Sequence, residues 1–238
     1  MRFGGSVAKH TDVDGLSDVD LLAMLRDPEL ARLGPEEVLA HFAETLREGL
    51  NPNLEVSVGE LAVTVTYADG MKIQILPAVR SDAGVRIASG HGNEWSAVVR
   101  PEAFAAKLTE VNQAARSRVI PTIKLAKAAL SQVPDSVRPS GYHIESMAVA
   151  AFTDYNGPYT LKAMLHHFFE EGSRLALRPI RDRTGQSLNV DSDLGSENSD
   201  ARRRLSGIMS RVARRMSNAD RAGSADDWLA SIGASSDS

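Results

Sequence analysis

Asp18 and Asp20 stand two residues apart inside an apolar run, Val19, Leu21 and Leu22, and they restrict what this segment can become. Side chains at i and i+2 of a strand leave from one face, so both carboxylates need a side open to water or to a cation. Upstream, Gly4-Gly5-Ser6 predicts a tight turn whose amides can approach a polyphosphate, with Ser6 adding a hydroxyl donor. Alone, such a turn is ordinarily only a turn and an Asp-x-Asp pair is ordinarily solvated. Separated by eleven intervening residues and followed by a hairpin, they point to a nucleoside triphosphate handled with divalent cations, magnesium or manganese, at Asp18 and Asp20.

The periodicity changes partway along the chain. Pro35 opens a predicted helix: Glu36 and Glu37 suit its first turn, Val38, Leu39, Phe42 and Leu46 form its stripe, and Gly49 stops it. Leu61 to Tyr67 alternates with period two, Asp69-Gly70 turns, and Met71 to Ile75 returns, which reads as a β-hairpin. On the returning strand Lys72, Gln74 and Leu76 share a face, so Gln74 can look towards the aspartates. Glycines 84, 90 and 92 with Asn93 predict a loop or domain crossing near Arg80 to Glu94, and the chain beyond reads as helical. The expected division is 1–95 as an α/β lobe, 96–222 as a helical lobe and 223–238 as a partly flexible tail.

In the helical half Pro101 starts a helix and Pro121 breaks or bends it. Lys124 and Lys127, three residues apart, lie on one face and can offer positive charge to a triphosphate. Ser140 to Glu145 reads as a helix entrance, and Thr160 caps a helix carrying Leu161, Leu165, Phe168 and Phe169. The strongest period is Leu205, Ile208, Met209, Val212, Ala213 and Met216. Arg202, Arg203, Arg204, Arg211, Arg214 and Arg215 read as that helix's solvated face, which leaves RNA or DNA binding open without indicating it.

The chain has 238 residues and no cysteine, which removes disulfides, zinc-thiolate clusters and thiol nucleophiles. No apolar run reaches the length of a membrane span and no signal-peptide layout appears, so a cytoplasmic protein is expected. A net charge of −4 argues against nucleic-acid binding over the whole surface. His166 and His167 point in different directions on a helix and are read as structural, and His10 as a loop group. The absence of a Gly-x-Ser-x-Gly elbow argues against a serine hydrolase.

Gly5-Ser6 followed by Ser17-Asp18-Val19-Asp20 resembles the signature of the polymerase-β-like nucleotidyltransferases. Ile73-Gln74-Ile75-Leu76-Pro77-Ala78 is similar to the strand that carries that family's third carboxylate. Ile123 to Lys127, Ser140 to Glu145 and Arg178 to Gly185 resemble the helical half of the bacterial CD-NTases, which make cyclic oligonucleotide second messengers in antiphage defence. The resemblance implies an α+β fold, a mixed sheet with flanking helices followed by a helical lobe, with an active-site cleft between the lobes. It implies that Gly5 and Ser6 cradle donor phosphates, that Asp18 and Asp20 hold the metal, that Lys124 and Lys127 neutralise the triphosphate, and that Ser140 and Tyr142 meet the base or sugar. An activating protein partner fits an enzyme that makes signalling molecules.

Two departures stand out. The family's long helix would precede the Gly-Ser turn, where only Met1, Arg2 and Phe3 stand, so the expectation is that the segment is either absent or truncated and that an apolar groove along the back is then exposed. Gln74 replaces the third carboxylate, and an amide brings neither negative charge nor a proton acceptor. The leading expectation is a nucleotidyltransferase that joins nucleotides and releases pyrophosphate. The alternatives are a nucleotide-binding pseudoenzyme or sensor, and a nucleotidyltransferase toxin acting on tRNA or protein.

Overall fold

In the computed structural model, which describes residues 1–16, 18–89 and 93–233, the first strands run β1 (Arg2–Phe3), β2 (Val19–Met24), β3 (Glu55–Val58), β4 (Val63–Thr66), β5 (Lys72–Ser81) and β6 (Gly84–Ile87). They form one mixed sheet in the order β1-β2-β5-β4-β3, with β6 also on β5. The parallel pair β2 and β5 lies at its centre, with Asp20 level with Gln74. The predicted hairpin is β4 and β5, antiparallel with Thr64 opposite Gln74. Pro77 can interrupt β5 because β4 pairs only as far as Ile75 and β6 begins at Ala78, so its missing N–H falls between two ladders.

One face of this sheet is apolar. Helix α1 (Pro35–Gly49) covers it with Leu39 and Ala43, which cluster with Val63 and Ala88 and with the partly buried Phe42, Leu46 and Val56. The helix begins and ends where the sequence places it, with Pro35 at its first position and Glu37 accepting the Gly34 N–H at 3.1 Å. Of the stretch Arg80 to Glu94, expected as a loop or domain crossing, Arg80 to Ile87 is instead the end of β5 and the strand β6, turning at Asp82 and Ala83, and residues 90–92 lie outside the described residues. Gly84 misleads because, at φ 153, it lies against the Val99 carbonyl, where a side chain would collide.

The chain divides into two compact units: Met1–Ala103 with Arg183–Gln186, and Phe104–Asp182 with Ser187–Ser238. The Arg183–Gln186 segment joins the first unit through Thr184, whose carbonyl accepts the Arg100 N–H at 2.8 Å. Helix α2 (Pro101–Ala114) carries the chain from one unit to the other.

The second unit is helical: α3 (Val119–Leu130), α4 (Gly141–Phe152), α5 (Leu161–Leu175), α6 (Asp200–Ala222) and α7 (Ala225–Ser231). Ser140, Thr160, Ser199 and Ser224 cap the last four. The break expected at Pro121 falls earlier, at Arg116 and Ser117, both at positive φ. Pro121 lies in the first turn of α3, where its missing N–H costs no helical bond. The core gathers Phe104, Ile123, Met147, Phe168, Phe169, Leu205 and Met209, each removing apolar surface worth about 1.5–3 kcal/mol. Helices α5 and α6 come close because Gly172 has no side chain: a Cβ there would lie 2.3 Å from Met209 Cε. Part of the expected tail is helix α7, and residues 234–238 lie outside the described residues.

Arg202, read from sequence as one of the solvated arginines, is fully buried. Its guanidinium donates to Asp191 Oδ2 at 2.6 Å, to the Asp191 carbonyl at 3.1 Å and to the Gly195 and Arg178 carbonyls at 3.0 Å. The pair ties the polar segment before α6 to the helix. Arg203, Arg204, Arg211, Arg214 and Arg215 are exposed, as expected. No helix among the described residues is long and apolar enough to cross a membrane.

Candidate active site

The sheet's other face carries a polar row. Register places Asp20 of β2, Gln74 of β5, Thr64 of β4 and Ser57 of β3 side by side, and cross-strand neighbours project to the same side. Asp18 immediately precedes β2, two residues from Asp20 and on the same face. Behind them Val19, Ile73 and Val65 point the opposite way, so the alternation that buries one face of the sheet holds the carboxylates out on the other.

The Gly-Ser turn closes over this row. The Gly4 N–H donates to the Asp20 carbonyl at 2.7 Å, and Ser6 opens a short helical turn, Val7–Lys9. Thr11, completely buried, holds the turn shut by donating its N–H and its hydroxyl to the Ser6 carbonyl at 3.0 and 3.3 Å. Gly5 has φ +52, and a Cβ on it would fall 1.5 Å from Asp20 Oδ2. The carboxylate of Asp20 therefore occupies the space that only glycine leaves.

Gln74 adds the third side chain. Its Nε2 donates to Asp18 Oδ2 at 2.8 Å. A carboxylate only accepts, so the amide must present its N–H to Asp18 and turn Oε1 away. Gln74 thus orients Asp18, and ligation of a cation beside Asp18 by Oε1 would require the amide to flip and break this bond. Asp18, Asp20 and Gln74 converge with Gly5 and Ser6 within the first unit. Among the described residues no group of three or more His, Cys, Asp or Glu side chains is placed to hold a metal. Two carboxylates nevertheless suit magnesium, which is commonly bound through one or two carboxylates together with substrate phosphates.

The remaining expected site residues lie in the second unit. Lys127 is 8% exposed and donates to Glu145 Oε1 at 2.8 Å, so it is a buried ion-pair partner where the spacing suggested an open amine. Lys124 is half-buried on the same helix. Ser140 caps α4 by accepting the His143 N–H at 3.1 Å. The Tyr142 hydroxyl donates to Asp182 Oδ1 at 2.7 Å, and its ring stands edge-on to Phe104 at 4.8 Å between centroids. The histidines are structural, as expected: His166 Nε2 lies 2.7 Å from Ser217 Oγ, and His167 Nε2 lies 3.0 Å from the Ala151 carbonyl.

The sequence reading missed Thr64 and Ser57, although the alternation Val63-Thr64-Val65-Thr66 carries the signal for Thr64. It also missed the His143–Asp191–Arg202 cluster. Burial pushes the His143 imidazole below its ordinary value of 6.5, opposed by the nearby Asp191 and Asp193 carboxylates and aided by Arg202. No local pattern marks that cluster, because it joins three distant segments.

No protein-family description and no curated protein matches this sequence. Solved structures do. The fold is similar to CdnC of E. coli MS115-1, solved in complex with HORMA-deltaN, at TM-score 0.72 and 18% identity, covering 97% of this chain and 80% of that one. It is similar to the Vibrio cholerae cyclic AMP-GMP synthase DncV at TM-score 0.79 and 13% identity, covering 97% and 66%. The STING-associated CdnE c-di-GMP synthase of Capnocytophaga granulosa matches at TM-score 0.64 and 14% identity, covering 93% and 74%. The architecture is that of the CD-NTases: a mixed sheet with flanking helices and a helical unit.

Proposed function

We propose that this chain is a nucleotidyltransferase that uses nucleoside triphosphates to build a linear or cyclic oligonucleotide messenger, releasing pyrophosphate, in antiphage defence. The observation that carries the reading is the meeting of Asp18, Asp20 and the Gly5-Ser6 turn on one polar sheet face. Three of the similar proteins support the substrate class: CdnC was solved with ATP, DncV with the linear intermediate pppA(3′,5′)pG, and CdnE is a c-di-GMP synthase.

In this reading Asp18 and Asp20 hold magnesium or manganese, which supplies charge neutralisation for the triphosphate and a more acidic attacking hydroxyl. Gly5 leaves room for Asp20 and for close approach by phosphate, while Ser6 offers a hydroxyl donor. Gln74 fixes the Asp18 carboxylate through its amide N–H and contributes no negative charge. The same hydrogen bond favours a second reading, a nucleotide-binding protein with slow turnover, because the side chain that bonds Asp18 neither adds charge nor accepts a proton. The HORMA complex of CdnC supports a protein partner for this chain as well.

Incubation with all four labelled ribonucleoside triphosphates and either metal separates the readings. Pyrophosphate with a phosphatase-resistant oligonucleotide is expected, and Gln74→Asp should raise its yield. Asp18→Asn should abolish metal-dependent nucleotide binding. Triphosphate-dependent thermal stabilisation without product would support the slow-turnover reading. Label on added tRNA or protein, or no response to either nucleotide or metal, would overturn the synthase assignment.

A further inference from the structure

A second cluster of charge lies on the first unit, away from the carboxylates. Arg2 of β1, Arg26 just beyond β2 and Arg80 near the end of β5 line one recess of about 340 Å³, together with Met1, Met24 and Leu25. Register explains the meeting. Met24, the last residue of β2, is level with Ala78, so the chain leaves β2 towards Arg26 where β5 continues to Arg80, and Arg2 sits on β1 opposite Leu22. From Asp20 to the end of β2 at Met24 the chain advances four residues, roughly 13 Å at ~3.3 Å per residue, with Arg26 beyond it, and Arg2, opposite Leu22, is two residues, about 7 Å, from the level of Asp20.

The recess is one-sided in charge. All three arginines are exposed, none of its lining residues is acidic, and among the described residues none of the three guanidiniums makes a hydrogen bond or an ion pair. Three like charges gathered around one concavity repel one another, and a multivalent anion removes that repulsion. Guanidinium groups pair with phosphate oxygens through two parallel N–H bonds. Met1, Met24 and Leu25 supply a soft apolar wall beside them, and the volume is in the range of small-ligand pockets.

We propose that this recess is a metal-independent binding site for a nucleoside polyphosphate, with Arg2, Arg26 and Arg80 on the phosphates and Met1, Met24 and Leu25 against the nucleoside. It lies on the same side of the sheet as Asp18 and Asp20 but further along β2 and β5, beyond the Leu22 and Leu76 row, and it needs no cation, because the arginines provide the counter-charge.

The test is calorimetric titration of the full chain with ATP and with tripolyphosphate in EDTA, where nucleotide held through magnesium is lost. ATP is expected to bind, and to bind severalfold more tightly than tripolyphosphate. Arg26→Ala and Arg80→Ala should each weaken binding about tenfold or more with unchanged Tm, since both side chains are exposed. Asp18→Asn should leave binding in EDTA intact, so failure of the catalytic assignment and failure of this one give different results. Absence of ATP binding in EDTA, equal affinity in the arginine variants, or loss of binding in Asp18→Asn would overturn the site. Equal affinity for ATP and tripolyphosphate would overturn the nucleoside assignment.

Discussion

Replacing Gln74 by glutamate tests the geometry of the carboxylate face with almost no change of shape. Gln74 Nε2 lies 2.8 Å from Asp18 Oδ2, so Gln74→Glu exchanges a donor for a second anionic oxygen at the same place. Two unit charges about 4 Å apart repel by about 1 kcal/mol in water and about 4 kcal/mol at an effective dielectric of 20. Asp18 is exposed and Gln74 half-buried, so the lower part of that range applies. Adding the lost amide–carboxylate bond gives a destabilisation of about 2–3 kcal/mol, or roughly 5–10 °C in Tm at pH 7.5 in EDTA.

The pH dependence follows from the same repulsion. Crowding raises the folded-state pKa of the new carboxyl above its unfolded value, so the penalty is full above the folded pKa and fades as pH falls through it. Saturating manganese with a triphosphate should reverse the sign, because the cation neutralises both acids and binds only the folded state. Differential scanning fluorimetry at pH 7.5 and 4.5, with and without metal, reads all three effects. A variant that melts with the wild type in EDTA at both pH values, and gains nothing extra from metal, would show that Gln74 and Asp18 do not share a site.

Gly5→Ala places a Cβ on the Asp20 carboxylate and forces an alanine to φ +52, so it should cost about 1–2 kcal/mol from the backbone alone and abolish metal-dependent nucleotide binding, read by melting and calorimetry. Arg202→Ala leaves Asp191 buried without its partner and should destabilise the second unit by about 3–5 kcal/mol in urea titration, whereas Arg204→Ala on the exposed face should change little. The lowered pKa of His143 means that the folded state resists the proton the unfolded state accepts at 6.5, so stability present above that value is lost as pH falls below it. His143→Gln should flatten the fall in urea midpoint between pH 7.5 and 5.5, and an undiminished fall would assign it to other groups.

Much of the fold was legible because it is local. Pro35 and Gly49 bound α1, the Val63 to Thr66 alternation and Asp69-Gly70 describe the hairpin, and Ser140 and Thr160 sit where helices begin. Each is set by backbone chemistry within a few residues. The misreadings share a cause. The glycines after Arg80 suggested a loop, yet β6 forms because β5 offers it an edge, and Arg202 looked like its solvated neighbours until Asp191, eleven residues away, met it inside the protein.

The sequence by itself determined that two carboxylates would share a face and that a glycine turn would precede them, since strand period and φ preference act on adjacent residues. Only the tertiary structure decided that Gln74 would hold Asp18, that Gly5 would make room for Asp20, and that Lys127 would be buried against Glu145. Those meetings depend on strand register and helix packing, which distant segments settle together because each buries its apolar surface only when the others are in place.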